Sequence, residues 1–310
     1  MTNSRLVASL RSVAMGVCDL AAAERFYTET WHLSVAARED GAVYLRGSGA
    51  DHHLLALHQA TRPELRMITF RAVSAEALDT IAQAVVPHGG TVLSPRAPMN
   101  EPGGGEAVLV RDPQGRILRF VAGDARHAEI PSAPDMPIRL AHAVLNSHDV
   151  AEGLAFYEQA LGFRLSDRTR IMAFIRIPAT PRGDHHSIAL ADADNDCLNH
   201  VAFVMPDLES VMRGGGRMKD AGYPIEWGPG RHGPGDNAFN YFVGPEGFVI
   251  EYTAEVEQVE DSYEAHGPAH WQWPPGRVDQ WGISPPPSAR LKEAQRQIAF
   301  SLFSNPKESA

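Results

Sequence analysis

The sequence predicts an α+β fold, two tandem domains each made of paired βαβββ modules. Three observations carry this: an internal repeat, short apolar runs closed by turn residues, and two helical segments in each copy. At 310 residues the chain has the length of two ordinary domains.

The repeat has four landmarks in the same order. Asp19–Tyr27 (DLAAAERFY) matches Asp149–Tyr157 (DVAEGLAFY), each Asp placed to cap a helix, with Glu152 at the capping-box position. Short apolar runs precede them, Val13–Val17 and Leu140–Leu145, and read as strands. DHHLLAL at Asp51–Leu57 matches DHHSIAL at Asp184–Leu190. Met67–Phe70 then matches His200–Phe203, and the interval from His53 to Met67 equals that from His186 to His200. The last pair, Asp112–Phe120 and Gly244–Tyr252, is a Pro-x-Gly turn feeding an apolar segment, as in a hairpin. Ala75–Val86 and Asp207–Ala221 supply the second helix of each copy, and the eight strands of a copy are expected to curl into a barrel-like cavity.

The boundaries follow. Residues 1–123 form an N-terminal, metal-free domain, and Asp124–Met136, rich in Ala, Pro and charge, a linker. Residues 137–255 form the catalytic domain. Residues 256–310 form a tail without a counterpart, a lid or oligomer contact carrying Trp271, Trp273 and Trp281, with an interface the favoured place for the tryptophans.

Composition narrows the function. With 44% apolar and 21% charged residues the chain reads as globular, and no run approaches the roughly 20 apolar residues of a membrane span. A formal net charge of -10 argues against nucleic acid and anionic membrane as partners. The N-terminus lacks a signal-peptide pattern, so a cytoplasmic protein is expected. Cys18 and Cys197 are too few for a disulfide framework and are expected to be buried.

Chemistry should lie where the copies differ. Seven residues before the helix-capping Asp, Ser12 faces His142; the third landmark sets Met67 against His200, and the fourth sets Arg119 against Glu251. Two imidazoles and a carboxylate make the facial triad of non-haem Fe(II) oxygenases, which leaves coordination positions open. Ser, Met and Arg cannot. Any one of the 14 histidines could be an ordinary buried or surface residue, but the joint placement of two histidines and a glutamate at equivalent repeat positions points to a metal. Zinc hydrolases also use His2Glu, yet their familiar HExxH helix is absent.

With these residues on hand, the chain from Arg11 to Glu255 resembles the type I extradiol ring-cleavage dioxygenases of the vicinal oxygen chelate superfamily, similar to catechol 2,3-dioxygenases and biphenyl-diol dioxygenases. The most specific stretch is RHGPGDNAFNYFVGPEGFVIEY, Arg231–Tyr252, in which His232, Tyr241 and Glu251 keep the family's intervals. His186, in HHSIAL, fits an upstream active-site histidine, and strand alternation then turns His185 away from the cavity. Some relatives carry Asn where this chain has Pro234, a departure that bears on substrate class.

The resemblance implies extradiol cleavage of a catechol-type or trihydroxylated ring by dioxygen. Fe(II), or Mn(II), would be held by His142, His200 and Glu251. His186 would act on dioxygen and move protons, and His232 and Tyr241 would bind the substrate oxygens. The partners implied are the catecholic substrate, O2 and other copies of the chain in a homo-oligomer. Two further readings use the same scaffold: a metal-dependent isomerase or transferase of the glyoxalase type, and a metal-free binding protein of the bleomycin-resistance type.

Overall fold

The structure is a computed structural model that describes residues 5–130 and 135–301. The first copy runs β1 (Val7–Val17), α1 (Leu20–Arg25), β2 (Ser34–Glu39), β3 (Ala42–Arg46), β4 (Leu55–Gln59), β5 (Glu64–Ala72), α2 (Ala75–Val85), β6 (Thr91–Pro98), β7 (Glu106–Arg111) and β8 (Ile117–Ala122). The second runs β9 (Arg139–Ser147), α3 (Val150–Leu161), β10 (Arg164–Arg168), β11 (Met172–Arg176), β12 (Gly183–Asp184), β13 (Ile188–Asp192), β14 (Cys197–Val204), α4 (Leu208–Asp220), β15 (Trp227–Arg231), β16 (Ala238–Val243) and β17 (Val249–Ala254). The tail adds β18 (Gln258–Val259), α5 (Ala289–Ala294) and β19 (Ile298–Ala299).

Each copy is therefore two βαβββ units that share one sheet. The strand orders are β2-β3-β4-β1-β5-β8-β7-β6 and β10-β11-β13-β9-β14-β17-β16-β15. The two units of a copy meet along β1 and β5, or β9 and β14. The sheets are open cups rather than barrels, because the end strands do not pair with each other.

Side-chain caps start the helices. Asp19 accepts from the Ala22 N–H, Ser74 from Ala77, Asp149 from Glu152 and Asp207 from Ser210, contacts worth about 1 kcal/mol each. In α3, Gln114 of the first copy reaches both the Asp149 carbonyl and the Glu152 carboxylate, so Glu152 links the copies. Gly162 ends that helix at φ 72°.

One apolar core runs through both copies. Trp31 of the first copy is fully buried and stacks on Tyr252 of the second at 3.6 Å, and the Tyr252 hydroxyl donates to the Trp31 carbonyl. Because strand side chains alternate, Tyr252 faces the first copy while its neighbour Glu251 faces into the second cup.

One expectation is corrected, the burial of Cys18. At the start of the linker the Asp124 carboxylate is buried between Arg11 and Arg71, and the chain beyond it is tied back through His127 to Ala50 and Ile130 to Ser48. Cys18 is exposed, because it sits at the turn between β1 and α1, where its N–H donates to Glu246; Cys197 is buried. Trp271 and Trp273 lie against Gly233 of the same chain, and Trp281 lies beneath Arg231.

Candidate metal centre

Three adjacent strands, β9, β14 and β17, bring the triad together. Ala202 on β14 pairs in register with His142 on one side and Glu251 on the other. Residues in register share a face, so His142, Ala202 and Glu251 form a row. His200, two residues before Ala202, joins the same face, and the small Ala202 side chain leaves the space between them open.

His142 Nε2 and His200 Nε2 each lie 3.2 Å from Glu251 Oε2, and one ligand atom from each residue falls within 4.8 Å of the others. Ligands at about 2.1 Å from a metal and at right angles to one another lie about 3.0 Å apart, close to these separations. All three side chains are buried, and His142 Nδ1 and Glu251 Oε1 are without a hydrogen-bond partner. Unpartnered buried carboxylate oxygens are costly, and a divalent cation satisfies this one. The donor set fits such an ion.

Outer residues orient the ligands. His200 Nδ1 lies 2.8 Å from Asn199 Oδ1 and donates to it, which turns the Nε2 lone pair toward Glu251. Asn199 donates to Asn146, which in turn donates to the Gln295 carbonyl of the tail. The sequence offers no sign of this chain, since Asn146 and the tail meet only in the fold.

Burial holds His200 down to about 4 and His186 well below its ordinary value, so both rings are neutral at pH 7. Burial alone would raise the Glu251 carboxyl, yet the imidazoles of His142, His200 and His232 gathered around it hold it well below the usual range. Neutral imidazoles and an ionised carboxylate are the states a metal requires.

The other three expected residues line the same cup. His186, on the segment entering β13, lies with its ring 4.3 Å from that of His142. Tyr241 on β16 pairs with Glu251 across the ladder, and its hydroxyl stands 3.4 Å from His200 Nε2 and 3.0 Å from His232 Nε2. Burial first, and then the Glu251 charge, push the Tyr241 phenol well above its ordinary value. His232 is fixed by its stack on Phe239 at 4.0 Å, by Trp227, and by Gln280 of the tail, which donates to its carbonyl.

Gly235, at φ 84°, brings the loop after β15 against the His186 ring. His185 is turned from the triad as alternation requires, but its Nδ1 lies 3.1 Å from His186 Nδ1.

Residues 9–120 and 139–252 both match the family described as the Glyoxalase/Bleomycin resistance protein/Dioxygenase superfamily. The chain is 30% identical over 308 aligned residues to metapyrocatechase 2 of Cupriavidus necator, covering 90% of each protein. Among solved structures it resembles a Mn(II)-bound glyoxalase from Novosphingobium aromaticivorans with a TM-score of 0.84 and 32% identity, covering 97% of this chain and 96% of that one. A variant of homoprotocatechuate 2,3-dioxygenase from B. fuscum aligns with a TM-score of 0.79 and 23% identity over 90% of this chain and 80% of that one, a likeness of fold.

Proposed function

The chain belongs to the Glyoxalase/Bleomycin resistance protein/Dioxygenase superfamily, and from that membership we propose that it is an extradiol dioxygenase opening a catechol-type ring with O2. The carrying observation is the convergence of His142, His200 and Glu251 in one copy only, with His186, His232 and Tyr241 lining the cup around them.

The metal is Fe(II), with Mn(II) the alternative, held by those two histidines and Glu251. When bound, it would supply open coordination positions and Lewis acidity toward the substrate oxygens and O2. A single carboxylate leaves a divalent site about one unit positive, which favours a substrate monoanion. Tyr241, held protonated by burial and by the Glu251 charge, donates a hydrogen bond to a substrate oxygen. His232, bonded to the same hydroxyl, fixes its direction. His186, neutral and buried, takes up and returns protons beside the ring.

No helix among the described residues is long and apolar enough to cross a membrane. We place the enzyme in the cytoplasm, as a homo-oligomer, with the catecholic substrate and O2 as its partners.

The glyoxalase-type reading is kept because of the likeness to the Mn(II)-bound glyoxalase. Oxygen consumption separates the two. Anaerobically purified protein loaded with Fe(II) or Mn(II) is mixed with a panel of catechols in an oxygen electrode and a spectrophotometer. Matched oxygen uptake and a yellow ring-opened product are expected; bound metal with no oxygen uptake would favour the isomerase.

A further inference from the structure

Behind His186 lies a buried chain of polar groups that the proposed chemistry does not use. His185 Nε2 sits 2.8 Å from Asp167 Oδ2, and both side chains are fully buried. The other His185 nitrogen, Nδ1, meets His186 Nδ1. Asp167 is held by the tail: its Oδ1 accepts from the His266 backbone N–H at 2.8 Å and lies 3.1 Å from His266 Nδ1, and its Oδ2 accepts from the Tyr263 hydroxyl at 3.4 Å. The tail docks beside edge strand β10 at this point, with Arg168 N–H donating to the His266 carbonyl.

Hydrogen-bond polarity fixes the tautomers along this chain. A carboxylate only accepts, so His185 carries a proton on Nε2, and in the neutral ring its Nδ1 is then an acceptor. His186 must then carry its proton on Nδ1, which leaves its Nε2 with a free lone pair. From this we infer that Asp167 and His185 are positioning residues that hold His186 as a proton acceptor toward the bound substrate, and that Tyr263 and His266 clamp Asp167. The inference rests on the ring-cleavage reading for its catalytic consequence but not for the tautomers.

The first copy supplies a control. His52 and His53 are paired in the same way, Nδ1 to Nδ1 at 3.0 Å. Strand register sets Ala37 where the second copy has Asp167, since Ala37 pairs with Tyr44 as Asp167 pairs with Phe174. Among the described residues no carboxylate is hydrogen-bonded to His52, and Glu101 approaches His53 Nε2 only to 3.9 Å. Instead Arg11 Nη1 lies 3.0 Å from His53 Nε2 and donates to it from the cavity side, so the lone pair that is free in His186 is taken in His53.

Asp167→Asn gives a directional test. The His266 N–H needs an acceptor, so the Asn oxygen stays there and its amide NH2 turns to His185 Nε2. That reverses both rings and puts a proton on His186 Nε2. The experiment is two-bond ¹H–¹⁵N correlation of ¹⁵N-histidine-labelled, metal-stripped protein, which tells the tautomers apart, joined to steady-state kinetics and anaerobic substrate titration of the metal-loaded enzyme.

Wild type is expected to show His186 protonated on Nδ1. Asp167→Asn should reverse His185 and His186, leave His52 and His53 unchanged, and lower kcat by about 10²–10³-fold at unchanged metal content and nearly unchanged substrate affinity. Asp167→Glu should restore the wild-type tautomers and part of kcat. His186 protonated on Nε2 in wild type, or tautomers indifferent to Asp167→Asn, would overturn the inference without needing the variant to be active; so would reversed tautomers with undiminished kcat. Wild type inert toward catechols under oxygen would remove the ring-cleavage reading, while the spectrum would still decide the tautomers.

Discussion

The same sheet holds opposite charges in its two copies. In the second cup His142, Ala202, Glu251 and His200 gather acceptor atoms around an open space. At the equivalent points of the first cup stand Ser12, Thr69, Arg119 and Met67. There Arg119 donates to Thr69 Oγ1 and pairs with Glu101 at 2.6 Å, while Arg11 reaches Ser12 and His53 and pairs with Asp124. Two buried guanidinium groups leave no place for a divalent cation. They crowd each other: burial, followed by the Arg119 charge, lowers Arg11 to about 10. A duplicated scaffold thus becomes a metal site or a closed ion-pair core by changes on three central strands, with the surrounding fold unchanged.

The largest effect that would sharpen this contrast is at the carboxylate. Glu251→Gln should lower metal affinity by more than the roughly 10–100-fold that loss of an outer-shell partner costs and abolish turnover, measured by metal analysis and oxygen uptake. Arg119→Met at the equivalent position should change neither.

Next come the two inner histidines. His186→Phe should cut turnover by about 10²–10⁴-fold with metal content intact; loss of metal instead would mean that its role is wrong. His53→Phe should leave turnover alone but cost about 1–3 kcal/mol in urea unfolding, because Arg11 Nη1 loses its acceptor in a buried setting.

A smaller effect tests the support of His200. Asn199→Leu removes the acceptor that fixes its tautomer and should weaken metal binding about 10–100-fold, read by competition with a chelator. Methionine at the equivalent place, Met67, needs no such partner.

The mildest effect is the pH response of metal-free protein, to which both copies contribute. His53 and His186 are held well below the ordinary histidine value, and His58 and His200 fall to about 4, in each case first by burial. Below about pH 6.5 the unfolded chain therefore binds protons that the folded one does not, so stability is full above that value and is lost as pH falls toward 4. Melting temperature should drop steadily across that window, and a flat profile would contradict the neutral, buried state of these rings.

Much of this could be read in advance from the repeat. The helix caps at Asp19 and Asp149 and the equivalence of Ser12, Met67 and Arg119 with His142, His200 and Glu251 follow from motifs that survive in both copies. The tertiary partners were not legible. Asn146, Asp167, Gln280 and His266 lie far in sequence from the side chains they hold, and β10 and β2 carry no motif by which to align Asp167 with Ala37. Strand alternation correctly turns His185 from the triad but cannot show that it bonds to His186. Closure of the cup was not legible either: the end strands of each sheet stay unpaired, and the Gly235 loop approaches His186 only through the fold. The tail had no second copy to be read against.

The most direct test of the central claim is the metal stoichiometry of the anaerobically purified chain, paired with oxygen uptake on a catechol, in wild type, Glu251→Gln and Arg119→Met. A single Fe(II) or Mn(II) per chain, with oxygen uptake in wild type and Arg119→Met and both lost in Glu251→Gln, is the predicted result. Metal and oxygen uptake that survive Glu251→Gln, or that vanish only when Arg119 is changed, would contradict the assignment of the chemistry to the second copy.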